Sequence, residues 1–162
     1  MNDSRGKERF LGFLNEEIGR FAPGRDEPVL KAFAAEVIGA MDFEDIRERR
    51  PAEVWATIHH AWRHLQQYDA CGAKISVFNP RFEQHGWSSR HTAVLVLTQG
   101  IPFVSESLRL ELNRRGIVIH VLVSSDLTVQ READGELRHV FPATVAPDGG
   151  RRRREALVYM EI

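Results

Sequence analysis

Residues 101–123, IPFVSESLRLELNRRGIVIHVLV, hold the chain to a narrow set of folds. The stretch runs from Pro102 through an apolar three-to-four repeat at Val104, Leu108 and Leu112 to Gly116, and then straight into a β-branched run. Ser105 and Glu106 suit a helix start, and Gly116 stands where a left-handed C-terminal cap would end that helix. The preceding HTAVLVLTQ (91–99) is dense in β-formers and stops at turn residues. A strand over 92–98, a helix over 103–115 and a strand from 117 make a strand–helix–strand unit, whose crossover places both strands parallel in one sheet.

The flanking sequence supplies partners for that unit. KISVFNP (74–80) alternates like a strand, and IVIHVLVSSDLTVQRE (117–132) reads as one long strand, bent at Ser124–Ser125. Asp134–Gly135 is a two-residue hairpin signal followed by ELRHVF. PATVAPDGGRRRR reads as a loop, and ALVYMEI (156–162) as a further strand. Ahead of the sheet, three apolar stripes recur at helical spacing: Phe10, Leu14, Ile18 and Phe21; Leu30, Phe33, Ala34, Val37, Ile38 and Met41; and Val54, Ile58, Ala61, Trp62 and Leu65. Asp42 suits the N-cap of a short connecting helix, and Pro51 the first turn of the last one, where its missing N–H is not needed. The expected fold class is α+β: about three helices in 1–70, then a partial ferredoxin-like βαββ sheet in 71–162. A complete βαββαβ unit would need a second helix and a further strand after Ile162.

Composition narrows the function classes. Lys plus Arg total 22 and Asp plus Glu 23, so a net charge of −1 gives no global field to attract nucleic acid or an anionic membrane. The single cysteine, Cys71, excludes an internal disulfide and a multi-cysteine zinc site. The first residues lack the apolar core of a signal peptide, and no run approaches the ~18 apolar residues of a membrane span, so a cytoplasmic protein is expected.

The candidate chemical motifs read as structural. Gly149–Gly150 matches neither phosphate-binding spacing, and Arg151–Arg154 reads as a solvated charge run. His60 and His64 stand four apart, a metal-ligand spacing, with no acid or thiol nearby to complete a shell, while His59 adjoins them on another face. His85 and His91 flank Ser88 and Ser89 without a nucleophile elbow. Cys71 lies in a polar loop with no paired cysteine, and His120 reads as a core or interface histidine on the long strand. No catalytic constellation and no metal site is expected from these residues.

Several separated pieces agree in register with one family. Asn79, Pro80, His85, Gly86, Trp87, Ser89, His91 and Thr92, then Pro102 and Phe103, then ELNRRG at 111–116 running into Ile119 and His120, the Asp134–Gly135 hairpin and the closing YMEI are similar to the N-terminal ACT-like region of the large bacterial NAD-specific glutamate dehydrogenases. The resemblance covers nearly all of the chain. It departs where the family usually carries acidic residues: glycine stands at 100, and glutamate replaces aspartate at 106. The resemblance implies a regulatory or assembly domain of an enzyme that deaminates L-glutamate to 2-oxoglutarate, with NAD as the parent enzyme's cofactor and no cofactor in this chain. It further implies docking against the remainder of the parent polypeptide and neighbouring subunits of a homo-oligomer. An amino-acid effector would bind at the turn formed by Gly100, Pro102, Phe103, Ser105 and Glu106. A stand-alone ACT-like binding protein is the alternative.

Overall fold

The computed structural model describes residues 3–24, 26–142, 144–148 and 151–162. The elements run in the order α1 (Asp3–Phe21), α2 (Glu27–Ala40), α3 (Phe43–Arg47), α4 (Pro51–Leu65), β1 (Lys74–Phe78), α5 (Phe82–His85), β2 (Ala93–Gln99), α6 (Val104–Arg114), β3 (Val121–Arg131), β4 (Leu137–Phe141) and β5 (Arg152–Glu161). The arrangement is α+β and compatible with an ACT-like domain.

The five strands form one sheet in the order β1-β2-β5-β3-β4, with every neighbouring pair antiparallel. Since β2 and β3 both run against β5, they run parallel to each other, as the crossover demands, with β5 inserted between them. β1 stands outside β2 and parallel to β5. It therefore fills from the N-terminal side the place that the last strand of a ferredoxin-like βαββαβ sheet would take.

Strand parity divides the apolar residues between two faces. Leu95, Leu97, Val123, Leu127, Val129, Leu157 and Tyr159 share a core with Leu14 and Ile18 of α1, with the α2 stripe, and with Val54, Ile58, Ala61, Trp62 and Leu65 of α4. Leu14, Ile18, Leu30, Phe33, Ile38, Leu65, Leu97 and Leu127 are fully buried there, each contributing roughly 1.5–3 kcal/mol. On the opposite face Val94, Val96, Val158 and Met160 pack under Val104, Leu108 and Leu112 of α6, none of which is fully buried.

Three expectations need correction. Phe21, the last residue of α1, is 68% exposed and stacks on Trp55 at 6.2 Å instead of joining the core. Asp42 does stand at the N-cap of the short helix α3, as expected, without a side-chain capping bond. The long strand begins at Val121, after an irregular 117–120, and runs through Ser124–Ser125 to an irregularity at Gln130–Arg131. Finally, Arg152–Arg154 belong to β5 and not to a loop, since their backbones pair with Gln130, Val129 and Thr128. The Gly149–Gly150 candidate lies outside the described residues.

Candidate functional site

The turn between β2 and α6 opens onto a hollow of about 410 Å3, lined by Gly100, Ile101, Pro102, Phe103, Val104, Ser105 and Glu106 together with Ser124 and Asp126 of β3 and Arg154 and Ala156 of β5. The crossover connection places it. β5 lies between the two parallel strands, so the turn leaving β2 passes beside β5, and the first turn of α6 sits over the α6-side residues of β5 and β3. Gly100 makes this approach possible: its N–H donates to the Arg154 carbonyl at 2.9 Å, and a Cβ there would lie 2.5 Å from Arg154 Cβ. Phe103 holds a left-handed backbone at φ 65° while 72% exposed, a conformation that costs about 1–3 kcal/mol and marks the turn as a place where backbone strain is tolerated.

The hollow carries charges of both signs. Arg154 lies on one side, and Asp126 and Glu106 stand on others; Ser105 Oγ donates to Glu106 Oε2 at 3.0 Å. The first N–H groups of α6 have no helical carbonyl ahead of them and favour negative charge. A small zwitterion therefore has counter-charges for both ends. The expected turn residues share this lining, whereas Ser124, Asp126 and Arg154 escaped the sequence reading. The available signal was parity: Ser124 and Asp126 alternate with Leu122 on the face that α6 covers.

A second polar centre lies at the far end of the sheet, on the helix-covered face. Arg49 pairs with Glu161 at 2.8 Å, Tyr159 donates its hydroxyl to Glu161 Oε1 at 2.6 Å, and Ser89 donates to Glu161 Oε2 at 3.2 Å. Burial opposes charge on Glu161, but the bonds from Arg49 and Tyr159 outweigh it and hold the carboxyl below its usual range. Burial, then the neighbouring carboxylate, pushes the Tyr159 hydroxyl far up. Beside this centre, an apolar cavity of about 30 Å3 lies between α2, α4 and the sheet, a volume suited to one or two water-sized groups.

A third cluster clamps the helical region to the sheet. Arg131, whose side chain is 2% exposed, donates through Nε and Nη2 to the two oxygens of the fully buried Glu155, both at 2.7 Å, and through Nη1 to Gly135 O at 2.9 Å. Arg153 adds bonds to Glu155 at 3.0 Å and to Tyr68 O at 3.2 Å. Gly135 must be glycine at this approach: its φ is 89°, and a Cβ would meet the Tyr68 carbonyl at 2.6 Å.

Among the described residues no group of three or more His, Cys, Asp or Glu side chains is placed to hold a metal ion. His64 Nε2 lies 3.2 Å from the Lys74 carbonyl. His60 instead packs in an aromatic cluster with Phe78 (4.5 Å), His85 (5.3 Å) and Trp87 (5.7 Å), where burial, then His85, lowers its pKa to about 4. Ser89 bonds Glu161, so the Ser–His arrangement does not form around it. His120 is exposed, not a core residue; it precedes β3 and stacks on His91 at 3.7 Å, because the strand pairing begins only at Val121. Cys71 is exposed. No helix among the described residues is long and apolar enough to cross a membrane.

Residues 33–162 match the family model described as glutamate dehydrogenase, ACT1 domain. The chain is 38% identical over 156 residues to the NAD-specific glutamate dehydrogenase of Pseudomonas aeruginosa, covering 96% of this chain and 10% of that protein. It is 36% identical over 132 residues to the NAD-specific glutamate dehydrogenase of Halomonas elongata, covering 80% of this chain and 8% of that protein. The chain thus spans a tenth or less of the length of these curated relatives. No solved structure matches it significantly.

Proposed function

Since the chain belongs to the glutamate dehydrogenase ACT1 domain family, we propose that it is a non-catalytic regulatory and assembly domain of an NAD-dependent glutamate dehydrogenase. The observation that carries this reading is the family match over 33–162, joined to 38% and 36% identity with proteins named for that activity. In this reading the deamination of L-glutamate to 2-oxoglutarate with NAD takes place in other parts of a long cytoplasmic polypeptide, and this domain acts on it through neighbouring subunits. The residues here do not fit the dinucleotide. The turn opening α6 has one glycine, Gly100, and the space beside its Cα is filled by the backbone and Cβ of Arg154, so a pyrophosphate has no close approach to that glycine.

The effector site of this reading is the hollow at the start of α6, formed by Gly100, Pro102, Phe103, Ser105 and Glu106 with Asp126 and Arg154. A free amino acid would place its carboxylate against Arg154 and the first N–H groups of α6, and its ammonium group against Asp126 and Glu106. Calorimetric titration of the purified chain with a panel of L-amino acids tests this. Saturable heat that disappears in Arg154→Ala supports the site; no heat with any of them removes the effector part. The domain reading has its own test, since an antibody raised to the chain should detect a native polypeptide many times heavier than 18.5 kDa.

A further inference from the structure

We infer that the apolar cavity between α2, α4 and the sheet is a binding site for a short aliphatic monocarboxylate, with the tail in the cavity and the carboxylate on Arg49. The site lies on the helix-covered face of the sheet and is separate from the hollow at the start of α6. Val37 of α2, Val54 and Ile58 of α4, and Val123 and Leu157 of the sheet supply most of its wall. They leave about 30 Å3, room for about two methyl-sized groups. Ser125 of β3 lines the same space and is 4% exposed, and its hydroxyl has no hydrogen-bond partner among the described residues. Buried hydroxyls ordinarily have a partner, so this one points to a group that enters the cavity.

Arg49 supplies the charge. It stands in the link between α3 and α4 and lines the cavity with its side chain 20% exposed. It gives Nη1 to Glu161 at 2.8 Å, and beyond Glu161 and the adjacent Tyr159 hydroxyl it meets no acceptor among the described residues. A guanidinium has N–H groups to spare after that. Glu161 has too few lone pairs left for them, because Oε1 accepts from Arg49 and Tyr159, and Oε2 accepts from Ser89. Surplus donors on a mostly buried guanidinium call for an oxyanion, and the two oxygens of a carboxylate match its fork. The aliphatic walls call for an apolar tail, which the volume limits to about two or three carbons. No acidic side chain lines the cavity, so an α-ammonium group would be buried without a partner. The ligand is therefore a carboxylate without an amino group, and isobutyrate is its simplest form.

The test titrates sodium isobutyrate into the purified 162-residue chain and follows the backbone amide shifts by NMR. Saturable shifts at Val123, Ser125 and Leu157 are expected, with a Kd around ~1 mM for a ligand of ~6 heavy atoms. Isobutyramide, alike in shape and uncharged, should bind about tenfold or more weakly, because it forgoes the charge-assisted bonds to Arg49. Valine should bind as weakly, since its ammonium group finds no partner. Ser125→Ile fills the cavity without touching Arg49 and should abolish the shifts; Arg49→Lys, which loses the fork, should weaken binding about tenfold. Should Arg49→Lys fail to fold, the amide comparison on the unaltered chain still tests the charge. No saturation up to about 50 mM, equal binding of isobutyramide or valine, or undiminished binding to Ser125→Ile overturns the inference. Shifts confined to Arg154 and the turn before α6 overturn it as well, because the carboxylate is then held by the hollow.

Discussion

The two faces of the sheet are built from similar side chains and reach different ends. On one face Leu95, Leu97, Val123 and Leu157 lie beneath α1, α2 and α4 and are 4% exposed or less. On the other, Val94 and Val96 are buried by α6, while Ile75 and Val77, equally apolar and one strand away, stand open. Apolar character in a strand thus tells which face a residue belongs to. Whether that face is covered depends on elements that a single strand does not encode.

The comparison breaks most sharply at the buried charges of the helix-covered face. Glu155→Ala leaves the Arg131 guanidinium buried without its carboxylate and should cost ~3–5 kcal/mol, read as a lowered midpoint in urea unfolding. Leu97→Ala on the same face should cost ~2–5 kcal/mol by the same measurement. Acid should act next. The unfolded His60 takes up a proton near its ordinary pKa, whereas the folded one resists until about 4, so stability is full above the first value and falls as pH drops toward the second. That loss should reach ~1–2 kcal/mol after discounting for partial exposure, and His60→Phe should flatten the largest part of it. Leu112→Ala, on the half-covered face, should cost only ~1 kcal/mol. Val77→Thr should stay within ~0.5 kcal/mol in this chain; a loss as large as that of Leu97→Ala would mean that Val77 is already covered.

Much of this was legible from the residues, and the exceptions share a cause. The stripes of α2 and α4 are buried residue for residue, because an amphipathic helix reports its buried side through local spacing alone. The crossover and the Asp134–Gly135 hairpin were legible for the same reason. What stayed hidden were charged groups whose partners lie far along the chain. Glu155 and Glu161 look like solvent-facing strand residues until Arg131 and Arg49 are brought beside them. Arg152–Arg154 look like loop until three different neighbours account for them: Asp148 for Arg152, Glu155 for Arg153 and the α6 hollow for Arg154. The hollow was only half visible, since the β2–α6 turn is local but Asp126 and Arg154 come from two other strands.

The place of β5 has a consequence for the order of events during synthesis. It is the latest of the five strands in sequence and lies at the middle of the sheet, so β2 and β3 have no direct pairing with each other. While a ribosome is still extending the chain through residue 151, the helices, the β1–β2 ladder and the β3–β4 hairpin can form, but as separate pieces with two bare strand margins. Closure then comes late and through contacts distant in sequence, a slow class of step in which exposed margins invite pairing with other nascent chains. In the cell this domain should depend on chaperones until residues 152–161 have cleared the exit tunnel.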